Sequence, residues 1–452
     1  MKKSENLLTG NLTKNIFLFT LPIILSSVLQ LLFNAADLIV VGRFDTLNAS
    51  AAQAAIGTTG VITQLTINMF IGISIGVNVV IARLYAERSN EKLKLAVQNA
   101  MFLGIISGII VSIIGYMYSG EMLKIMNVNE DILPLATAYL KIIFLGAPFN
   151  MIYNFGSAIM RASGDTKNPM IYLIIAGVFN VMLNLITVIY FKMGVAGVGI
   201  ATSVSNLLSC VLIVIKLFKT KSSIKLTLKD FRFSGKAINK MLIIGIPAGI
   251  QSSLFSLSNV VIQSSVNSFG PNAMAGCGDA TNLDGFIYAA INAYSVAAVT
   301  FVGQCCGANQ KQKINKVLLS ILFLVTVTGL VLGFGCYIFG EKLLGIYTTN
   351  TADIAAGMER MRIIATTYFL CGIMDSLVGA VRAMGQAIIP MIITLVCVCV
   401  FRVIWIAVML DKFRSLTTVF ISYPISWSLS ILFVVICYIF QKKKITYQKK
   451  TC

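Results

Sequence analysis

Residues 17–43 read FLFTLPIILSSVLQLLFNAADLIVVGR, and this stretch decides the fold class of the chain. It is apolar and longer than the ~20 residues that a helix needs to cross the ~30 Å hydrocarbon core of a bilayer. Pro22 removes a backbone donor near one end, which predicts a kink or hinge in such a helix. Asp37 lies six residues before Arg43, about 9 Å along a helix axis. The stretch therefore predicts a membrane-spanning helix that carries a carboxylate.

The composition extends this interpretation to the whole chain. Of its 452 residues, 57% are hydrophobic and only 12% are charged, with a mean hydropathy of +0.86. A soluble protein of this size would be about one quarter charged. The fold class we predict is an all-α polytopic membrane protein with twelve transmembrane helices. The apolar segments that we assign as spans are 14–41, 51–82, 95–118, 133–160, 168–191, 194–215, 241–268, 281–305, 317–339, 361–381, 387–410 and 415–440.

The net charge of +19 reflects membrane topology rather than nucleic-acid binding. Most lysines and arginines fall in the segments that share a side with the N-terminus, including the linker 216–240 and the tail after Gln441. An excess of basic residues marks cytoplasmic loops. We therefore expect a multi-pass protein of the plasma membrane with both termini in the cytoplasm. Basic segments of this kind contact anionic lipid headgroups.

Residue usage argues against an enzyme. The chain has no histidine, which excludes imidazole proton relays, imidazole metal sites and Ser–His or Cys–His catalysis. There is no GxxxxGK[ST] loop for nucleoside triphosphate. Most of the ten cysteines fall within spans, where cysteine behaves as a small hydrophobe. We expect neither catalytic activity nor a cofactor.

The chain repeats itself. Arg161-Ala162-x-Gly164 of the first half recurs in the second half as Arg382-Ala383-x-Gly385, and Pro22 recurs as Pro247 at a slightly larger offset. Each repeat has six spans, an even number, so both halves enter the membrane from the same side. The two six-helix bundles are then related by a pseudo-two-fold axis along the membrane normal, as in transporters with parallel repeats. The predicted division is an N-terminal lobe 1–218, a cytoplasmic basic linker 219–240 and a C-terminal lobe 241–452 with a basic tail.

Polar residues of the first half fall at similar depths in three spans. Asp37, Asn184 and Thr202 each lie about 9–12 Å below the predicted outer face, counted at 1.5 Å per residue. Asn180 lies one turn from Asn184, and Asn34 lies three residues before Asp37 on span one. Oxygen ligands of this kind suit Na⁺, and a carboxylate alone can take up H⁺. Two interpretations stay open: a cation site, or polar contacts that only hold helices together.

The second half carries buried charges of its own. Arg402 lies within span eleven, and an arginine at that depth needs a partner, which we predict to be Asp284 or Asp375. A structural ion pair and a role in transport are both compatible with this pattern. Asn259 and Gln263 lie one turn apart on span seven, where they line a substrate cleft or hold helices together. Gly72/Gly76 and Gly104/Gly108 are spaced for close helix packing.

Five segments together resemble the multidrug and toxic compound extrusion (MATE) family. They are LPIILSSVLQLLFNAADLIVVGR (21–43), RASGDTKNP (161–169), NVMLNLITVIYFKMGVAGVGIATSVS (180–205), TFVGQCCGANQ (300–310) and VRAMGQAIIP (381–390). The resemblance covers all twelve spans. It implies two six-helix lobes that open alternately and export organic cations or amphiphiles in exchange for Na⁺ or H⁺.

The resemblance also implies residue roles. The family's amino-lobe cation site uses residues that Asp37, Asn180 and Thr202 match, and a second aspartate that Asn184 replaces in this chain. Bending of the first span at its proline accompanies the family's conformational switch, which makes Pro22 the expected hinge. We expect a monomer that binds its substrate and the bilayer. The alternative is a flippase for a lipid-linked precursor from the same superfamily, which would need more basic residues deep in the cleft than Arg402 alone.

Overall fold

The computed structural model describes residues 7–44, 49–126, 128–227, 229 and 231–447, and no strand occurs among them. Lys2 and Lys3 of the N-terminal segment, residues 228 and 230 of the linker, and Lys449 and Lys450 of the tail lie outside the described residues. The helices are α1 Leu12–Phe44, α2 Ala49–Glu87, α3 Asn90–Ile125, α4 Leu133–Ala162, α5 Lys167–Leu185, α6 Gly194–Lys219, α7 Gly235–Asn267, α8 Pro271–Gly307, α9 Lys313–Ile338, α10 Gly340–Leu344, α11 Thr351–Ala383, α12 Ile388–Thr394, α13 Phe401–Lys412 and α14 Leu416–Tyr447.

Twelve helical segments of the described chain are long and apolar enough to cross a membrane, which confirms the predicted number of spans. Span five continues from α5 into a π-helical turn, Ile186–Tyr190. Span eleven consists of α12, the π-helical turn Leu395–Val400 and α13. Span ten, α11, begins at Thr351, well before its predicted start at 361. Its first turns contain charged residues, which is why a hydropathy pattern places the start too late.

The chain forms two compact units, Leu25–Gly249 (the first unit) and Met1–Ile24 with Ile250–Cys452 (the second unit). The unit boundary divides α1 just after Pro22 and α7 just after Pro247. The number of residues between the two division points is therefore the same as the number between Pro22 and Pro247. The predicted division, by contrast, places all of α1 in the N-terminal lobe and α7 from residue 241 onward in the C-terminal lobe.

In the first unit, α4 packs against α2, α3 and α6. The start of α7 approaches α2 through facing glycines, because a Cβ on Gly72 would lie 2.2 Å from the Cα of Gly249. A Cβ on Gly245 would lie 2.6 Å from the Cα of Ile73. Glycine allows this backbone contact because it has no side chain to separate the helices. The close packing expected at Gly72 and Gly76 is thus present.

In the second unit, α11 is the central helix and packs against α8, α9 and α14. Its core includes Tyr294 and Phe301 of α8 and Phe420 of α14, all fully buried. The Tyr294 hydroxyl lies 2.8 Å from the Thr328 hydroxyl of α9, so its polar end is satisfied inside the bundle.

The internal repeat is visible in the backbone. Arg88 and Asn309 occupy equivalent repeat positions and have φ of 59° and 58° in the turns that follow α2 and α8. Gly164 and Gly385 are equivalent at the same offset and have φ of 100° and 95°. A positive φ is uncommon for a non-glycine residue, so its recurrence at one repeat position reflects the same turn geometry in both halves.

Candidate cation site

Three helices of the first unit bring four predicted residues together. The Nδ2 atom of Asn184 on α5 donates to Asp37 Oδ1 on α1 at 2.5 Å and to Asn180 Oδ1 at 3.2 Å. Asn180 Nδ2 in turn donates to Thr202 Oγ1 on α6 at 3.4 Å. The Thr202 hydroxyl also lies within hydrogen-bonding reach of the Asp37 carboxylate. The cluster of Asp37, Asn180, Asn184 and Thr202 is therefore a single hydrogen-bonded network.

The charge of this network is uncompensated. Asp37 is 7% exposed, and in the described part of the chain no lysine or arginine forms an ion pair with it. A carboxylate at depth in a bilayer costs about 2.5–3.5 kcal/mol on insertion scales, unless a cation or a proton neutralises it. The site is thus electrostatically suited to a positive ligand.

The oxygen atoms of the network fit a hard cation. Asn184 Oδ1 is buried and has no hydrogen-bond partner among the described residues, which leaves one amide oxygen available for a ligand. Together with Asp37, Asn180 and Thr202 it forms an all-oxygen donor set of the kind that Na⁺ prefers. The π-helical turn of span five begins at Ile186, two residues beyond Asn184. Such turns interrupt regular helices frequently at functional sites.

Sequence reasoning missed one neighbour of this network and included one residue that lies apart from it. Tyr139 of α4 is buried close enough to Asp37 to interact electrostatically with it, although no motif marked it. Asn34 is exposed and is not part of the network. Three residues along a helix correspond to a rotation of about 60° away from Asp37, enough to move Asn34 off the buried face. The sequence expectation for Asn34 is corrected accordingly.

The partner of Asp284 is Arg360, not Arg402. Arg360 Nε on α11 lies 3.0 Å from Asp284 Oδ2 on α8, and both side chains are buried. Arg360 also lies over the ring of Phe420, 5.5 Å from its centroid. Asp284 Oδ1 has no partner in the described part of the chain. A signal for this pair existed in the charged sequence MERMR, but the late predicted start of span ten placed Arg360 at the membrane surface.

Arg402 is held by aromatic rings and a hydroxyl. Its Cζ lies 3.8 Å from the centroid of Tyr423 and 5.6 Å from that of Trp427. Its Nε donates to Ser426 Oγ at 2.9 Å. No carboxylate in the described residues pairs with it, so the predicted ion pair of Arg402 with Asp284 or Asp375 is wrong. Cation–π contact stabilises a desolvated guanidinium by about 2 kcal/mol, which is why a carboxylate is not required.

Among the described residues, the remaining predicted residues of the second half do not form a shared hydrogen-bonded network. Asp375 is half-buried on α11 and lies near Arg382, whose Nη2 donates to Gln251 at 2.6 Å. Asn259 is exposed on α7. Gln263 donates to Asn267 at 3.0 Å on the exposed face of the same helix. Within the described ranges, no hydrogen bond joins Asn259 or Gln263 to the charged residues.

The sequence profile of the MatE family matches residues 22–186 and 247–408, most of both halves of the chain. The chain belongs to the MatE family. Among its curated relatives are the probable multidrug resistance protein YoeA of Bacillus subtilis, 26% identical over 96% of this chain and 95% of YoeA, and the probable multidrug resistance protein NorM of Thermotoga maritima, 26% identical over 89% of this chain and 86% of NorM. A solved multidrug resistance MATE transporter of the MOP superfamily, in an outward-facing conformation, superposes with a TM-score of 0.89 at 20% identity, covering 100% of this chain and 99% of the other.

Membership of the MatE family confirms the resemblance stated from the sequence. The structural similarity confirms an all-α fold with twelve membrane helices in two lobes. Because MATE proteins are membrane transporters, the prediction that this chain is not an enzyme is also confirmed. The flippase alternative is not favoured, since these relatives are described as multidrug resistance proteins.

Proposed function

We propose that this MATE transporter exports organic cations or amphiphilic drugs in exchange for Na⁺ or H⁺, by alternating access. The multidrug resistance relatives support the substrate class. The observation that carries the proposed coupling is the uncompensated Asp37 carboxylate within its network of amide and hydroxyl groups. We further propose that the protein is a monomer and lies in the cell membrane.

Coupling requires that ion and substrate bind the two conformational states with different affinity, because equal binding to both shifts nothing. Asp37 is the acidic residue of the buried network, so its charge is the element that a cation or a proton changes. Neutralisation lowers the desolvation cost of the carboxylate and permits α1 to repack around Pro22. We assign Pro22 as the hinge, since the boundary of the compact units divides α1 just beyond it.

The neighbours of Asp37 would select the ion. Na⁺ would be held by oxygen atoms of Asp37, Asn180, Asn184 and Thr202, and it would supply a positive charge that offsets the carboxylate. H⁺ would require only Asp37, with Asn184 and Thr202 holding the protonated group in place by hydrogen bonds. The two cases differ in how strongly transport depends on the amide side chains.

The test is drug efflux from proteoliposomes with imposed Na⁺ or pH gradients. Asp37→Asn preserves the shape of the side chain and removes its charge, so it should fold normally and lose gradient-driven efflux. Asn34→Ala is the matched control, because Asn34 is exposed on the same helix outside the network. Efflux by Asp37→Asn at the wild-type rate and equal protein amount would refute the proposed role of Asp37.

The variant Asn184→Asp helps to distinguish coupling to Na⁺ from coupling to H⁺. The change adds a second carboxylate beside Asp37 in the same network and should tighten cation binding rather than abolish transport. Isothermal titration calorimetry with NaCl, and with KCl as the control salt, measures the affinity for Na⁺ directly. Weaker Na⁺ binding by Asn184→Asp than by the wild type would contradict the proposed Na⁺ ligand set and favour a proton site.

The proposed orientation places both termini and the linker 219–240 in the cytoplasm, from the distribution of lysine and arginine. A background without the native cysteines allows single cysteines to be introduced at positions 45 and 225. We expect membrane-impermeant maleimide to label position 45 in intact cells and position 225 only after permeabilisation. Labelling of position 225 from outside would reverse the orientation.

A further inference from the structure

A cavity of about 870 Å³ lies in the second unit where α1 and α9 begin. Thr9 and Gly10 line it from the chain before α1, and Lys313, Lys316 and Ser320 line it from α9. Two bonds hold its walls together: Lys313 Nζ donates to the Leu8 carbonyl at 3.0 Å, and the Thr13 hydroxyl donates to Ser320 Oγ at 3.2 Å. The cavity is therefore an open pocket whose lining is about half polar and half apolar, with Leu8 and Leu12 beside the two lysine side chains.

The positive charge of this pocket is not neutralised. Within the described ranges no carboxylate pairs with Lys313 or Lys316, and the first turns of α1 and α9 contain no acidic residue. The same position of the first half is different. There Lys92, the repeat equivalent of Lys313, lies 3.6 Å from Glu87, and Glu91 precedes it. The second half has Ala308 and Gln312 at the positions of these two glutamates.

The surface that continues from the pocket is apolar. Along α9 the residues Leu319, Phe323 and Val331 are 66%, 62% and 67% exposed at helical spacing, and they begin one turn after Lys316. Phe17 and Leu18 of α1 are likewise exposed. In a membrane protein such a face contacts acyl chains, whereas a cationic pocket at its end contacts headgroups.

We propose that this pocket binds the headgroup of an anionic phospholipid, with its acyl chains along the exposed face of α9. The two ammonium groups pair with the headgroup phosphate, and the hydroxyl of Ser320 donates a hydrogen bond to it. The lipid then links the start of α1 to α9 within the second unit. This site is independent of the proposed coupling at Asp37, which lies in the first unit.

The test is native mass spectrometry of the full chain in neutral detergent, titrated with phosphatidylglycerol or phosphatidylcholine. The wild type should retain one phosphatidylglycerol in preference to phosphatidylcholine. Lys316→Gln should weaken that binding about fivefold, the equivalent of ~1 kcal/mol for one basic residue near an anionic headgroup. Within the part of the chain that the structure describes, the Lys316 ammonium forms no ion pair that the change would break, so thermal stability without lipid should be unchanged.

Lys92→Gln is the matched control, because it removes a lysine from the equivalent helix start of the first half, where Glu87 already compensates it. It should leave phosphatidylglycerol binding unchanged. Equal weakening by Lys92→Gln would overturn the proposal, since the effect would then be general surface charge. Unchanged binding by both Lys316→Gln and Lys313→Gln would also overturn it. Displacement of the lipid by millimolar inorganic phosphate would overturn the lipid assignment, because the pocket would then be a site for the free anion.

Discussion

The buried pair of Asp284 and Arg360 yields a sharp prediction about stability. Arg360 Nε lies 3.0 Å from Asp284 Oδ2, while Asp284 Oδ1 has no partner among the described atoms. Arg360→Met keeps an unbranched side chain and removes the charge. The carboxylate would then have lost its one ion-pair partner among the described residues of the helix bundle.

The expected cost follows from this geometry. Breaking a buried ion pair by removal of one partner destabilises a protein by about 3–5 kcal/mol, because the remaining charge is uncompensated. Loss of the guanidinium contact with Phe420 adds about 0.5–1 kcal/mol. We therefore expect Arg360→Met to lower the free energy of unfolding by about 3.5–6 kcal/mol. The double change Arg360→Met with Asp284→Asn removes both charges and should cost less than either single change.

The assay is reversible unfolding in mixed micelles, followed by tryptophan fluorescence. The chain has two tryptophans, Trp405 and Trp427, and both belong to the second unit that contains the ion pair. Their emission therefore reports on the unit that the change affects. The four proteins of the double-mutant cycle give the interaction energy of the pair directly.

Arg362→Met is the control, since Arg362 is exposed two residues away on the same helix. It should change the unfolding free energy by no more than about 0.5 kcal/mol. If Arg360→Met costs no more than this control, the pair contributes nothing that a methionine cannot replace. If the double variant loses the sum of both single costs, the two charges do not compensate one another, and the reasoning is wrong.

Three further predictions concern packing and Arg402. Gly72→Leu should prevent the contact of α2 with the start of α7 and, through overpacking, lower the free energy of unfolding by about 1–3 kcal/mol or more, measured by thermal unfolding. Gly57→Leu is the control and should be tolerated, because the space around the Cβ position of Gly57 is open. Arg402→Met should remove the contact with Trp427 and shift the fluorescence emission of that tryptophan. It should lower the free energy of unfolding by only about 1–2 kcal/mol, because no carboxylate among the described residues loses a partner. A loss equal to that of Arg360→Met would instead indicate that Arg402 takes part in an ion pair. Gly385→Ala should cost about 1–2 kcal/mol because its φ is 95°, and a neutral effect in thermal unfolding would show that this turn relaxes freely.

The length and hydropathy of the apolar segments predicted the membrane helices well because hydropathy reports directly on burial in lipid. The repeat offset predicted two equivalent halves, and the matching φ angles of Arg88 and Asn309 agree with that repeat. Hydropathy was weakest where a membrane helix extends beyond its apolar window. The first turns of α11 are charged, so the pattern began that helix at 361 rather than at Thr351 and left Arg360 outside.

The contacts of polar residues were harder to predict, since residue depth gives no direction around a helix axis. Depth groups Asp37, Asn184 and Thr202, helical spacing adds Asn180, and the structure places all four in one network. Helical spacing from Asp37 also adds Asn34, which lies on an exposed face. The partner of Arg402 could not be derived from a search for carboxylates, because two aromatic rings and a serine hold it instead.

The two repeats have matching turn geometry, but their buried carboxylates are compensated differently. This difference decides where we expect the coupling ion to bind. A cation that bound Asp284 would have to displace Arg360 at a cost of about 3–5 kcal/mol. A cation that bound Asp37 would displace one hydrogen bond from Asn184, worth about 1.5–3 kcal/mol, and the free Oδ1 of Asn184 would offset that loss. Asp37 is therefore the energetically accessible carboxylate. If gradient-driven efflux survives Asp37→Asn and is lost in Asp284→Asn, the coupling ion must bind Asp284 and displace Arg360. Displacing Arg360 would then cost less free energy than binding at Asp37, and the argument would be refuted.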